Sequence, residues 1–165
     1  MSGTTVRAVL ALGSNLGASK DTLVRAVADL VDVGDIRLHA VSPVALTRPV
    51  GGPEQPDYLN MVLEVETDRG PYELLAHCQA VEAMHHRERA ERWGPRTLDV
   101  DIITYGDWTS DDDALTVPHP RAASRAFVLQ PWAWMDPEAQ LFGRRVAELA
   151  AEAEDIAGVT PFEGG

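Results

Sequence analysis

Thr97-Leu98-Asp99-Val100-Asp101-Ile102-Ile103-Thr104-Tyr105 is the stretch on which the fold turns. Its β-branched, apolar residues read as a strand buried on at least one face, and Gly106 closes it. Arg87-Glu88-Arg89-Ala90-Glu91-Arg92, upstream, is too charged to be core and reads as a loop. Before it, Leu74, Cys78, Val81 and His85 recur at helical spacing and share one face. Pro71 suits the first turn of that helix, and Glu73 favours its N-terminus. Further back, Tyr58-Leu59-Asn60-Met61-Val62-Leu63-Glu64-Val65-Glu66 is a strand. Pro49-Val50-Gly51-Gly52-Pro53-Glu54-Gln55-Pro56 can be neither helix nor central strand, so it is a loop. Ile36, Leu38, Ala40 and Ser42 alternate with polar neighbours, and Val44-Ala45-Leu46 continues that strand. Leu23, Val27, Leu30 and Val31 mark an earlier helix, capped by Ser19 and ended at Gly34. Val6-Arg7-Ala8-Val9-Leu10-Ala11-Leu12 reads as a buried strand, and Gly13-Ser14-Asn15-Leu16-Gly17 as the turn after it.

The order is therefore β-α-β-β-α-β, the split βαβ pattern. It predicts an α+β, ferredoxin-like core over about 5–137, with an antiparallel sheet and helices packed on it. Residues 127–135 and 144–154 read as short helices, the latter in a C-terminal helical extension over 138–165 with a frayed, Gly-ended terminus. Asp111-Asp112-Asp113 reads as a solvated turn. A chain of 165 residues is expected to form one domain.

The formal net charge of −12 argues against a nucleic-acid binder, which would show a basic face. It also repels an anionic substrate unless metals and local arginines reverse the field. Lys20 is the only lysine, so the positive charge is almost all arginine. The single cysteine, Cys78, excludes an internal disulfide and is expected in the core. No N-terminal run has the charge and length of a signal peptide, and residues 6–12 are too few to span a bilayer. A soluble, cytoplasmic protein without membrane partners is expected.

The chemistry concentrates in the opening strand. Residues i and i+2 of a strand point to the same face, roughly 6.7 Å apart along it, so Asp99 and Asp101 reach into one site. Carboxylates beside an arginine cluster suit divalent metal bridging protein to polyphosphate. Arg87, Arg89, Arg92 and Arg96 supply such a cluster, with guanidinium groups that bind phosphate oxygens bidentately. An exposed strand face with two solvated acids, and a solvated helix end with ion-paired arginines, are the plainer alternatives. His119, locked between Pro118 and Pro120, can donate to a phosphate or nucleobase or simply cap a surface turn. The Gly13–Gly17 pattern lacks the Gly-Lys-Ser/Thr ending of a phosphate loop, and His85-His86 lacks zinc spacing.

Three segments carry a family resemblance: Arg92-Trp93-Gly94-Pro95-Arg96-Thr97-Leu98-Asp99-Val100-Asp101-Ile102-Ile103, Leu115-Thr116-Val117-Pro118-His119, and Asp57-Tyr58-Leu59-Asn60. There, and from about Leu10 to about Pro137, the chain resembles 6-hydroxymethyl-7,8-dihydropterin pyrophosphokinases of the folate pathway. The resemblance implies a usually monomeric enzyme that moves pyrophosphate from ATP to a pterin hydroxymethyl group and releases AMP. It implies that Asp99 and Asp101 hold two magnesium ions. Arg87, Arg89 and Arg96 become phosphate clamps, the first two on a mobile loop and counted with the aspartates as catalytic. Glu82, Ile102, His119 and Arg125 match ATP-site positions. Thr47, Val50, Tyr58, Asn60, Asp99 and Phe127 match the pterin pocket. The physical reading agrees: a flat heteroaromatic ring wants an aromatic sandwich such as Tyr58 and Phe127, and an amide such as Asn60 reads its edge. The chain departs from the pattern at Arg48, where proline is common, at Ala114, where some members have arginine, and at Pro120, where some have an aromatic. The segment between Glu82 and Trp93 is one residue shorter.

Two rivals remain at this point. A metal-dependent nucleotide-sugar transferase would use the same paired aspartates but release a nucleoside diphosphate. A non-catalytic ferredoxin-like module would bind a small molecule or RNA without turnover.

Overall fold

The computed structural model describes residues 5–15, 19–48, 57–89 and 98–162. In chain order the elements are β1 (Val6–Asn15), α1 (Ser19–Val31), β2 (Ile36–Val41), β3 (Ala45–Thr47), β4 (Tyr58–Thr67), α2 (Pro71–Arg89) and β5 (Leu98–Tyr105). They continue with β6 (Ser110–Asp112), β7 (Leu115–Val117), α3 (Ala126–Met135), β8 (Gln140–Leu141), β9 (Arg144–Arg145), α4 (Val146–Glu152) and β10 (Val159–Pro161).

The main sheet runs β10-β3-β4-β1-β5, with β2 also paired to β4, and every pairing in it is antiparallel. Taking β2 and β3 together as the second strand of the core, the order is 4-1-3-2, which is the ferredoxin-like arrangement expected from the sequence. Period-2 alternation divides β1, and β5 as far as Ile103, where the register against β1 shifts. Leu10, Leu12, Val100 and Ile102 face α1 and α2, where they pack with Leu23, Leu30, Leu74, Cys78 and Val81. Val9, Ala11 and Ile103 face the opposite way, with Val62 of β4, onto Val128, Leu129 and Trp132 of α3 and Leu149 of α4.

Five local expectations change. The strand expected across 36–46 is two strands, because the chain is pinned at Ser42: its hydroxyl accepts the Val62 N–H (2.9 Å) and donates to the Pro43 carbonyl (2.8 Å). Ser42→Ala leaves a buried Val62 N–H without its partner and should cost about 1–3 kcal/mol, read as a lower urea midpoint. The helix expected to stop before the charged run continues through Arg89, so Arg87 and Arg89 stand on the last turn of α2 rather than on a loop. Its burial is the reason: Leu74, Cys78, Val81 and His85 hold the helix on the sheet to within a turn of its end. The acidic turn at 111–113 is instead a hairpin, Ser110–Asp112 pairing with Leu115–Val117. The frayed tail is a strand: Val159, Thr160 and Pro161 pair with Thr47, Leu46 and Ala45. Residues 144–145 pair with 140–141, and the helix follows only from Val146.

Candidate active site

The sheet delivers the site in cross-strand rows. Asn60 of β4, Gly13 of β1 and Asp99 of β5 lie side by side, and Val62, Ala11 and Asp101 form the next row. Asp99 and Asp101 are exposed, while Leu98, Val100 and Ile102 between and beside them are buried on the other face. The strand spacing thus does what the sequence predicts, bringing both carboxylates to one side. Behind them, the Glu82 carboxylate of α2 accepts the Val100 N–H at 2.7 Å. That bond fastens the strand midway between the two aspartates, so Glu82 meets the site through the backbone.

A cavity of about 320 Å³ opens on this face, lined by Ala11, Leu12, Gly13, Thr47, Tyr58, Asn60, Asp99, Asp101, Arg125, Phe127 and Val128. Asn60 is 8% exposed, and its Nδ2–H donates to Thr47 Oγ1 at 2.8 Å. The turn expected at Gly13 is still strand, and the residue is there for space. A Cβ built on Gly13 would lie 2.6 Å from Asn60 Oδ1. Glycine inside a strand commonly marks such a close approach, and that was the sequence signal for this residue. The Arg125 guanidinium sits 5.5 Å from the centre of the Phe127 ring, a cation–π contact. Arg125 therefore lines the cavity of the expected pterin residues.

A second cavity, of about 270 Å³, lies along the outer edge of β5, lined by Leu75, Val100, Asp101, Ile102, Ala114, Leu115, Thr116, His119 and Pro120. β5 ends the sheet, so its outer backbone edge faces this cavity. The β6–β7 hairpin forms the far wall, tied to α2 by the Tyr72 hydroxyl donating to Asp112 Oδ2 at 2.5 Å. Ile102 and His119, matched by the resemblance to ATP-site positions, line this cavity, and Ala114 and Pro120, two departures from the family pattern, are also wall residues. Asp101 lines both cavities.

His119 is held by its own N–H to the Ile103 carbonyl (2.9 Å), and its Nδ1 accepts the Arg121 N–H at 3.2 Å. A neutral ring with Nδ1 accepting carries its proton on Nε2. Burial pushes the ring below its ordinary value of 6.5, more than the Asp101 charge raises it, and Arg125 and Arg121 add to the lowering. The unfolded chain therefore takes up this proton first as pH falls. Stability is full above about pH 6.5 and is lost as pH drops through the interval between the unfolded and folded values. The loss between pH 7.5 and 5.5 in urea titrations should shrink in His119→Gln. Cys78, pushed up to about 12 chiefly by burial and then by Glu82 and Asp101, is a core thiol as expected.

Arg96 and Val50 lie outside the described residues, as do all of residues 49–56, expected as a loop; for Arg87 and Arg89 only the backbone is described. No three His, Cys, Asp or Glu converge among the described residues. Two exposed carboxylates nevertheless suit a hard divalent cation that completes its oxygen shell from phosphate and water.

The family model described as 7,8-dihydro-6-hydroxymethylpterin-pyrophosphokinase (HPPK) matches residues 9–137, the span that contains both cavities. The chain belongs to this family. It is accordingly an enzyme of the pyrophosphokinase class. A relative from Pseudomonas aeruginosa, a 2-amino-4-hydroxy-6-hydroxymethyldihydropteridine pyrophosphokinase, is 40% identical over 159 residues, covering 96% of this chain and 94% of its own. A Synechocystis relative of the same name is 39% identical, over 96% of this chain and 81% of its own. One from Mycobacterium tuberculosis is 43% identical, over 90% and 84%. Among solved structures, wild-type Plasmodium falciparum HPPK-DHPS with pteroate superposes with a TM-score of 0.72 at 13% identity, covering 92% of this chain. The chain spans 45% of that longer protein, and the likeness shows the fold. No described helix of this HPPK-family chain is long and apolar enough to cross a membrane.

Proposed function

We propose that this HPPK-family enzyme transfers pyrophosphate from ATP to the hydroxymethyl oxygen of 6-hydroxymethyl-7,8-dihydropterin, giving the pterin diphosphate and AMP in folate biosynthesis. The observation that carries the reading is the position of Asp101 in the walls of both cavities, with Asp99 beside it in the first. Two substrates bound in the two cavities meet at these carboxylates.

The first cavity suits the pterin. Tyr58 and Phe127 offer ring faces, and the Asn60 amide, steadied by Thr47, offers donor and acceptor to a heterocycle edge. The second suits the nucleotide. The outer backbone edge of β5 at Ile102 presents peptide groups to adenine, and His119 Nε2–H is available to a phosphate oxygen. Asp99 and Asp101 would hold two magnesium ions, which neutralise the triphosphate when bound. Arg87, Arg89 and Arg96 are proposed to clamp the remaining phosphate charge, and Arg125 to reach from the Phe127 ring toward the nucleotide. Catalysis then rests on holding the hydroxymethyl oxygen in line with the β-phosphorus and on offsetting charge, the terms that dominate phosphoryl transfer. We also propose a single domain, a monomer without nucleic-acid or membrane partners, and a cytoplasmic location.

Chromatography of spent nucleotide tests the reaction. Protein, magnesium, ATP and the hydroxymethyl dihydropterin should yield AMP in step with pterin diphosphate. Release of a nucleoside diphosphate, or no pterin-dependent loss of ATP, would overturn it.

A further inference from the structure

Residues 138–162 lie beyond the span matched by the family model, yet their last part packs behind two walls of the first cavity, against β3 and the start of α3. β10 pairs with β3, setting Val159 opposite Thr47, and the Arg48 N–H donates to the Gly158 carbonyl at 2.8 Å. The Phe162 N–H donates to the Val44 carbonyl at 2.9 Å, so both ends of β3 are tied to the tail. On the other wall, Asp155 Oδ1 accepts the Ala126 N–H at 2.9 Å. Ala126 opens α3, its N–H is one that the helix cannot satisfy itself, and the Arg125 side chain ahead of it supplies no cap. Phe127 is the next residue. Between the walls, Ala153 and Val159 of the tail pack with Ala45 of β3 and Ala126 of α3, and Ile156 and Phe127 pack against that cluster.

We infer that the segment 153–162 is a brace that sets the distance between the Thr47 wall and the Phe127 wall, with Asp155 as a positioning residue for the Phe127 ring. The inference deepens the pterin reading of this cavity and rests on it. The brace backs β3 and the start of α3, which line the first cavity; of the nucleotide residues only Arg125 adjoins it, and the residues along the β5 edge have no part in it. Its signature is therefore selective. Losing the cap frays the start of α3, lowers the fraction of molecules with Phe127 in place, and weakens pterin binding by that fraction.

Calorimetry on the full chain, titrating 6-hydroxymethyl-7,8-dihydropterin and, separately, magnesium-ATP, tests it. Asp155→Ala should raise the pterin Kd about fivefold to tenfold while the magnesium-ATP Kd, reached by the fraying only through Arg125, rises by no more than about twofold. Asp155→Asn keeps an oxygen acceptor and should restore pterin affinity. Ile156→Ala keeps the cap but loosens the cluster on which Phe127 packs, and should weaken pterin in the same direction; it carries the test should Asp155→Ala not fold. Unchanged pterin affinity in a folded Asp155→Ala or Ile156→Ala, or equal weakening of both ligands, overturns the brace while leaving the pterin reading standing. A wild-type chain with no pterin affinity overturns that reading and the brace with it.

Discussion

Asp101→Ala should lower magnesium-dependent turnover by about a thousandfold or more while leaving the protein folded. The size follows from place. Asp101 is the carboxylate shared by both cavities, and no other described acidic residue lines both. On the proposed reading its loss removes an anchor at the point where the two substrates would meet, which binding elsewhere cannot replace. The fold should be indifferent, because Asp101 is exposed and the buried residues Val100 and Ile102 on either side carry the packing. The Glu82 bond to the Val100 N–H keeps the strand in position in the variant as well. Asp99→Ala should act in the same direction. Steady-state kinetics with circular dichroism as the folding control decides; full turnover in both folded variants would sink the carboxylate assignment.

Gly13→Ala should leave the fold in place and weaken pterin binding by about tenfold to a hundredfold, the range lost when a hydrogen-bonding group is displaced. The new methyl would stand 2.6 Å from Asn60 Oδ1, far inside contact distance. The atom in the way is the end of a side chain, so the amide yields rather than the sheet. Yielding breaks the 2.8 Å bond from Asn60 to Thr47 and turns away the group proposed to read the heterocycle edge. Magnesium-ATP affinity should be unaffected, since neither Gly13 nor Asn60 lines the second cavity. Fluorescence titration with the dihydropterin measures the effect. An unchanged affinity would mean that the Asn60 amide does not read the ring.

Much of this was legible in the residue pattern. Alternation at Leu98, Asp99, Val100 and Asp101 is a local property of a half-buried strand, and it placed both carboxylates on one face before any tertiary contact was considered. The helical face of Leu74, Cys78, Val81 and His85 was equally local, and all four are buried. The features that were not legible depend on partners distant in sequence. The 159–161 strand has no apolar alternation of its own and exists because β3 offers an unpaired edge. The Asp155 cap joins residues 29 positions apart. The second cavity depends on the β6–β7 hairpin, whose aspartate-rich sequence reads as turn but which is tied down by Tyr72. Glu82 was read as a nucleotide residue from its matched position; its bond to the Val100 N–H adds a role in holding the strand that no spacing rule carries.

On the proposed reading, pterin and nucleotide occupy the two cavities and meet at Asp99 and Asp101. A crystal structure of the protein with magnesium, a non-hydrolysable ATP analogue and 6-hydroxymethyl-7,8-dihydropterin decides whether they do. The pterin ring should lie against Phe127 and Tyr58 with Asn60 at its edge, adenine along β5 at Ile102, and the triphosphate beside Asp99 and Asp101. A pterin outside the Asn60 cavity, or a triphosphate away from the two aspartates, would contradict that reading.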